Sequence, residues 1–377
     1  MGFFRPRPRR VFACVLAVAG VLLPMEAAPG FGIASDNVRY VSTLPIEVGT
    51  VTGARRIGDF LYVGGAKGFS IYDVTDPLEP TLVSTTATGF QFPTEDVDTN
   101  GRILLLSNDQ PPVQLNGLKV YDVEDKANPR FLGQITGLRD HTFSCVLGCR
   151  WAYGSRGSII DLRDPADPKV AGSWGAALPG DGFDVTEVSP GLILTATRVI
   201  RLLDARDNPT KPKVLAMGST TDNRLIHSNR WPREGRDDFF LVQGETPASQ
   251  FCDNDSGAFM TWDATRWKKT RSFTLIDEFR VTNGTYADGN PPAGALGCTA
   301  MWFQHHPTFH NGGLVVSAFF EHGTRFLRVD RKGQISEVGF FMPIAGNTIA
   351  SYWITNKIVY AFDVQRGLDI LEFTGSI

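Results

Sequence analysis

Three features of this 377-residue sequence predict an all-β protein built from repeated units. A pair of β-rich runs joined by a Pro-marked turn recurs about every 40 to 50 residues, a spacing typical of propeller blades. The first run of the pair ends in aspartate each time, at Asp73, Asp122, Asp161 and Asp204. The last unit lacks its second run, and an unmatched second run stands near the N-terminus. Together these features predict a seven-bladed β-propeller closed by an N-terminal strand that completes the last blade.

The units follow one another along the chain. The first four are FSIYDVTDPLEPTLVSTTATG from Phe69, LKVYDVEDKANPRFLGQITG from Leu118, SIIDLRDPADPKVAGSWG from Ser158 and IRLLDARDNPTKPKVLAMGS from Ile200. Degenerate copies begin at Phe259 and Arg325, and the last unit, LDILEF from Leu368, stops after its first run. A further pair of runs precedes each unit, such as ARRIGDFLYVGG from Ala54, and supplies the two inner strands of a four-stranded blade.

The missing strand of the last blade is predicted at the other end of the chain. The segment NVRYVSTL from Asn37 matches the second run, and its YVSTL echoes LVSTT from Leu82. Residues 35–377 are therefore expected to form a single domain, with the chain ends joined in one blade.

The unit GFSIYDVTDPLEPTLVS resembles the LVIVD repeat of secreted bacterial propellers, and RGLDILEF from Arg366 resembles its closing form. The resemblance covers nearly all of residues 35–377. The first four units match well, whereas the fifth and sixth depart from the repeat through long insertions. The resemblance implies a propeller, but this family has no agreed chemistry to transfer.

Residues 1–34 have the layout of an export signal. Four arginines precede an apolar run from Val11 to Leu23, which is too short to span a bilayer comfortably, and small residues follow. Arg9-Arg10-Val11-Phe12 resembles the twin-arginine export pattern, and an ordinary signal with a basic start is the alternative. Cleavage is expected near Ala28 or Ala34. The sequence thus predicts a secreted or cell-envelope protein without a stable membrane span after cleavage.

Charge and cysteine content narrow the function classes. The formal net charge is −3, and removal of residues 1–34 takes away four arginines and one glutamate, so the remainder is more acidic. A mildly acidic chain argues against a nucleic-acid partner. Four cysteines remain after Cys14 leaves with the signal, and in an exported protein they predict two disulfides. Cys145–Cys149 with Cys252–Cys298 is the preferred one of three connectivities.

Histidines and carboxylates are predicted to gather at one mouth of the central channel. In a four-stranded blade, the start of the innermost strand and the turn between the second and third strands lie at the same face. The predicted inner-strand starts are Thr52, Asp96, His141, Asp184, His227, His306 and Ser351. The turns add Glu245 and His322 at this mouth. His306 should therefore face His141 and His227, whereas His305 should point away because side chains alternate along a strand.

Two interpretations of this cluster stay open. In the first, His141, His227, His306 and His322 bind a divalent transition metal such as Zn, Cu, Fe or Mn, which suits imidazoles with a carboxylate. An open metal position would activate water, with Glu245 or Asp184 as the base of an oxidoreductase or hydrolase. In the second, each buried histidine only bonds the backbone of a neighbouring blade.

The function hypotheses follow from these interpretations. The first is a metal-binding and catalytic propeller, a monomer that takes a small molecule or protein at the channel mouth. The alternative is a non-enzymatic extracellular scaffold for protein interactions, whose loops include Pro291–Gly297.

Overall fold

Seven antiparallel sheets surround a central channel. The computed structural model describes residues 32–89, 97–109, 117–175, 182–220, 225–245, 257–281, 297 and 299–377. Six sheets have four strands and one has five. The predicted all-β, seven-bladed propeller is therefore confirmed.

The strands are numbered along the chain, and each blade is given from its innermost strand outwards. Blade one contains β3 (Val51–Ile57), β4 (Phe60–Gly65), β5 (Gly68–Asp73) and β6 (Thr81–Ala87), and blade two contains β7 (Val97–Thr99), β8 (Ile103–Asn108), β9 (Gly117–Asp122) and β10 (Arg130–Thr136). Blade three contains β11 (Phe143–Val146), β12 (Trp151–Gly154), β13 (Ser158–Asp161) and β14 (Lys169–Ser173), and blade four contains β15 (Asp184–Ser189), β16 (Leu192–Ala196), β17 (Val199–Asp204) and β18 (Lys213–Ser219). Blade five contains β19 (Leu225–Arg230), β20 (Phe239–Glu245), β21 (Ala258–Asp263) and β22 (Thr274–Phe279). Blade six contains β23 (Phe303–His305), β24 (Gly313–Ala318), β25 (Thr324–Val329), β26 (Ile335–Pro343) and β1 (Gly32–Ala34). Blade seven contains β27 (Thr348–Trp353), β28 (Ile358–Asp363), β29 (Gly367–Phe373) and β2 (Val38–Leu44). Two one-turn helices, α1 (Pro232–Gly235) and α2 (Trp267–Thr270), lie between strands of blade five.

The aspartate of the repeat shapes the turn between the third and fourth strands. Asp73 ends β5, and its carboxylate accepts the backbone N–H of Thr75 at 2.8 Å. Such a bond from Asp to the residue two positions on defines an Asx turn, which reverses the chain at little cost. The same bond recurs in five further blades, at Asp122, Asp161, Asp204, Asp263 and Asp330.

The N-terminal strand closes the ring as predicted. β2 pairs antiparallel with β29, from Val38 opposite Phe373 to Leu44 opposite Leu368. Val38 is buried, so the strand contributes to the core as well as to the hydrogen-bond ladder. The innermost strands of the seven blades also contact their neighbours around the full circle, from β3 back to β3.

A short strand ahead of β2 adds to blade six. β1 pairs with β26, with Gly32 opposite Pro343 and Ala34 opposite Phe341. The backbone N–H of Ser35 donates to Phe340 O at 3.0 Å, and Asn37 Nδ2 donates to Val338 O at 2.7 Å. Residues 32–34, placed in the export signal by the sequence analysis, are thus part of the propeller sheet.

Apolar side chains fill the spaces between adjacent blades. Tyr360 shows how one blade is tied to the next: its ring is buried, and its hydroxyl donates to Pro77 O of blade one at 2.8 Å. The predicted Cys145–Cys149 disulfide is present, with the two Cα atoms 4.3 Å apart. Cys252 and Cys298 lie outside the described residues. None of the helices in the described ranges has the length and apolar character needed to cross a membrane.

Candidate functional site

The innermost strands run in one direction along the channel. We call the end where these strands begin the first end, and the opposite one the second end. Thr52 lies near the start of β3, Asp184 begins β15 and His227 is the third residue of β19, while His141 comes two residues before β11. Ser351 lies in the middle of β27. Asp96 is outside the described residues.

His141 is held at the first end by a carboxylate. Its Nδ1 lies 2.8 Å from Asp109 Oδ2, and the same oxygen lies 3.1 Å from Arg156 Nη2. The imidazole also meets the edge of Phe183 at 5.0 Å between ring centroids. The ring is buried, so this ion-pair network fixes its orientation.

Phe183 joins His141 to His227. The His227 ring stacks on Phe183 at 5.2 Å and meets Trp302 edge-on at 4.7 Å. His227 is fully buried and sits in a β-bulge between Ile226 and Ser228. The structure therefore brings these two predicted histidines to one end of the channel, with an aromatic ring between them.

Asp184 follows Phe183 and is almost completely buried. Burial raises the pKa of its carboxyl, and the guanidinium of Arg230 opposes that rise. Its Oδ1 accepts the backbone N–H of Val185 at 2.7 Å, and its Oδ2 accepts the hydroxyl of Thr186 at 3.2 Å. The carboxylate thus already has hydrogen-bond donors on its own strand.

The predicted placement of His306 is wrong. β23 ends at His305, so His306 lies in the turn to β24, at the second end. Its Nδ1 is 2.8 Å from Thr308 Oγ1 and its Nε2 is 3.1 Å from Asn356 O of blade seven. Trp302, four residues earlier, takes the place beside His227. His306 therefore contacts a neighbouring blade's backbone and does not face His141 or His227.

His322 lies in a turn between second and third strands, as predicted, and Glu245 lies at the end of the strand before another such turn. His322 is buried between β24 and β25; its backbone N–H donates to Phe319 O at 2.7 Å, and its carbonyl accepts Arg325 Nε at 3.0 Å. Glu245 is the last residue of β20. Within the ranges that the structure describes, no group of three or more His, Cys, Asp or Glu side chains is arranged to hold a metal ion.

Two cavities open in the channel towards the second end. The first, which we call the carboxylate cavity, has a volume of about 240 Å³. Its wall includes three acids, Asp98, Asp184 and Glu187, together with Arg55 and Arg230. Arg55 Nε lies 3.3 Å from Asp98 Oδ1, and Arg230 Nη1 lies 3.4 Å from Asp184 Oδ2. Two of the three acids are therefore paired with an arginine of a neighbouring blade, whereas Glu187 accepts the backbone N–H groups of Leu147 and Gly191.

One cysteine of the disulfide, Cys145, lines the carboxylate cavity. Its backbone N–H donates to Asp98 Oδ2 at 2.8 Å. The turn that the disulfide closes holds Leu147 and Cys149 in the left-handed region, at φ of 53° and 59°. Glu187 supports this turn because its Oε1 accepts the Leu147 N–H at 2.8 Å. Burial raises the pKa of Glu187.

The second cavity, which we call the arginine cavity, has a volume of about 260 Å³. It shares Arg55 and Arg230 with the carboxylate cavity and adds Arg56 and His305. No carboxylate lies in the wall that the described residues form. The prediction that His305 points away is therefore wrong, because this imidazole lines the channel. Burial lowers its pKa to about 4, with Arg230 and His306 acting in the same direction.

Sequence reasoning missed these two cavities. Their arginines stand in the innermost strands, Arg55 within TGARRIG and Arg230 within HSNRW. A charged residue in an innermost strand must face either the channel or an adjoining blade, and the second location rarely accommodates a charge. The two arginines within innermost strands were therefore a sequence feature that could have predicted a charged site in the channel.

The WD40 β-propeller domain of Doa1 is similar in structure to this chain, with a TM-score of 0.59 over 90% of this chain and 98% of that chain. The two sequences are 12% identical, so the similarity shows the fold alone. No protein-family model matches this sequence, and no curated protein matches it.

Proposed function

We propose that this chain is an extracytoplasmic binding propeller that holds a small charged molecule in the second end of its channel. One observation supports the proposal above others: two polar cavities meet at Arg55 and Arg230, which line both. Keeping charges partly buried costs free energy, and a concave site with a few convergent polar groups is typical of ligand binding. Their volumes, about 240 and 260 Å³, favour a small ligand.

The extracytoplasmic location is proposed from the export signal of residues 1–34 and from the resemblance to LVIVD repeats. The Cys145–Cys149 disulfide supports it, because disulfides persist mainly in oxidising compartments. Because β1 belongs to the sheet of blade six, we expect cleavage before Gly32, near Ala28, and not after Ala34. N-terminal sequencing of the exported protein tests this, and a mature chain beginning at Ser35 would contradict it.

Ligand binding is tested by NMR with a library of small acids, amines and neutral compounds. The indole N–H signal of Trp353, identified through Trp353→Phe, reports on the arginine cavity because Trp353 lies in its wall. The matched control is Trp174, which follows β14, the outermost strand of blade three, and whose indole N–H donates to Gly154 O at 2.8 Å. We expect at least one compound class to shift the Trp353 signal and leave that of Trp174 unchanged. If no class does so, the proposal is wrong.

A metal centre at the first end is the second candidate. The observation that favours it is the 2.8 Å contact between Asp109 and His141 Nδ1, because a carboxylate commonly orients a metal-ligating imidazole in this way. His227 and His322 are the further ligands of this candidate, with Asp184 or Glu245 as base. It requires side chains to move on metal binding, because Phe183 lies between the His141 and His227 rings and the described side chains form no ready group of three or more ligands. The location of His306 at the second end removes it from this set.

Elemental analysis of untagged protein tests the metal candidate. One equivalent of Zn, Cu, Fe or Mn in the wild type, lost in a His141→Ala, His227→Ala double variant, supports it. A His306→Ala variant is the control and should keep the metal, since His306 lies at the other end. Equally low metal content in all three proteins would leave the channel-binding proposal as the account of function.

A further inference from the structure

We infer that the arginine cavity binds a small molecule through an oxyanion group, a carboxylate or a phosphate, that reaches Arg230 and Arg56. The inference rests on the proposed function and adds the chemical class of the ligand. The cavity wall combines three guanidinium groups with no carboxylate among the described residues that form it. Arginine is the side chain best matched to planar or tetrahedral oxyanions, because its N–H groups form a fixed fork.

Arg230 has donors to spare for such a ligand. All of its hydrogen bonds within the described residues use Nη1, which donates to Asn229 O at 2.7 Å and to Thr186 Oγ1 at 2.9 Å. Its contact with Asp184 also uses Nη1, at a longer 3.4 Å. The side chain is 19% exposed, and no hydrogen bond within the described residues uses its Nε or Nη2, which leaves both as donors for a group that enters the cavity.

Arg56 adds a second guanidinium and, unlike Arg230, has no carboxylate partner among the described residues. Its Nε donates to Gly58 O at 2.9 Å and its Nη1 to Ile354 O, so both contacts are with backbone carbonyls. These carbonyls hold the head group in position but do not neutralise its charge. An entering oxyanion would supply the missing negative charge.

The rest of the wall suits the uncharged part of the ligand. His305 is largely enclosed, and its Nδ1 has no hydrogen-bond partner among the described residues. Its lowered pKa, about 4, leaves the ring neutral at pH 7, so it can donate one hydrogen bond. Phe303, Tyr352 and Trp353 add apolar surface. An oxyanion attached to a small flat ring therefore fits the cavity better than a bare inorganic ion.

The carboxylates of the neighbouring cavity do not reverse this preference. Asp98 and Asp184 pair with Arg55 and Arg230, and Asp98 also accepts two backbone N–H groups, those of Thr99 and Cys145. Because these acids line only the carboxylate cavity, a cation is better placed there than beside Arg56.

Calorimetric titration of the full chain with benzoate and benzamide tests the inference. The two probes have nearly the same shape, and only benzoate is charged at pH 7. We expect benzoate to bind at one site at least about tenfold more tightly than benzamide, since a charge-assisted hydrogen bond is stronger than a neutral one. Phenyl phosphate serves as the second arm, and tighter binding of either anion identifies which oxyanion the cavity prefers.

Three variants locate the binding. Arg230→Gln should weaken benzoate about tenfold and Arg56→Gln about threefold, whereas Arg230→Lys, which keeps the charge, should lose less than Arg230→Gln. Arg163→Gln is the matched control, because this exposed arginine pairs with Asp161 on the outside of blade three and should leave binding unchanged. Arg56→Gln keeps the test valid if Arg230→Gln does not fold, since Arg56 is exposed.

Two results would overturn the inference. Benzamide binding as tightly as benzoate, with a shift of the Trp353 signal, would leave channel binding standing and refute the oxyanion preference. Benzoate affinity unchanged in both Arg56→Gln and Arg230→Gln would place the anion elsewhere. Failure of every compound class to shift the Trp353 signal would instead refute the proposed function itself.

Discussion

The pairing of Arg230 with Asp184 leads to a prediction about stability. Asp184 has a side chain that is only 2% exposed, and Arg230 is its charged partner at 3.4 Å. Replacing Arg230 by Gln leaves a buried carboxylate without a counter-charge. We expect the free energy of unfolding at pH 7.5 to fall by about 3 kcal/mol, near the low end for breaking a buried ion pair because Arg230 is partly solvated.

The pH dependence of this loss follows from the pKa of Asp184. Burial already raises that pKa, and Arg230 opposes the rise, so the substitution raises it further. The folded variant then holds a proton at pH values where the unfolded chain, with an ordinary pKa near 3.9, does not. Stability relative to wild type should therefore recover as the pH falls from 7.5 to 5.

Urea unfolding followed by tryptophan fluorescence at pH 7.5 and pH 5 measures both effects. The double variant Asp184→Asn, Arg230→Gln is the control, because it removes the buried charge as well. We expect its stability at pH 7.5 to lie within about 1 kcal/mol of Asp184→Asn alone, a coupling expected for residues in direct contact. If Arg230→Gln is as stable as wild type at pH 7.5, or equally destabilised at both pH values, the pair does not have the role assigned to it.

Three further predictions concern closure, the disulfide and ligand protonation. Deleting residues up to Leu44 removes β2 and opens blade seven, so the melting temperature should fall well below that of a chain beginning at Gly32; equal melting would refute strand closure as a source of stability. Replacing both Cys145 and Cys149 by Ser should cost about 2 kcal/mol in urea unfolding, the value expected for a short closed loop, and no loss would mean that the hydrogen bonds of the turn with Glu187, Asn100 and Asp98 hold it without the disulfide. Benzoate affinity should rise as the pH falls from 7 to 5, because a bound anion raises the pKa of His305 above its value of about 4 and favours protonation of the ring; calorimetry in buffers of different ionisation enthalpy should detect proton uptake, and an affinity that falls towards pH 5 would contradict this.

The repeat predicted the fold because its signals are local. Asp73 and its five counterparts act within two residues along the chain, through a bond to a nearby N–H, so the turn can be recognised from sequence alone. The unmatched run at Asn37 likewise predicted the partner of β29, since an unpaired edge strand needs a partner. Both the turn and the closing strand were thus predicted from sequence patterns, which can be recognised without knowing which distant residues are in contact.

The positions of the site residues depend on contacts between residues that are far apart in the sequence. β23 has only three residues, too few for an alternating pattern to fix its register, and the packing of Trp302 decides it. Trp302 meets His227 of blade five, and its Nε1 donates to Thr52 O of blade one at 3.2 Å. His306 is therefore displaced to the second end. The ion pair of Arg230 with Asp184 joins residues 46 positions apart, and no local pattern indicates it.

The central claim is that the second end of the channel binds a small ligand beside Arg230. Its most direct test is an anomalous difference map from crystals soaked in 4-bromobenzoate. The account predicts a bromine peak inside the arginine cavity, with the carboxylate against Arg230 and Arg56. Bromine peaks at the outer surface only, in crystals whose channel is open to solvent, would contradict it.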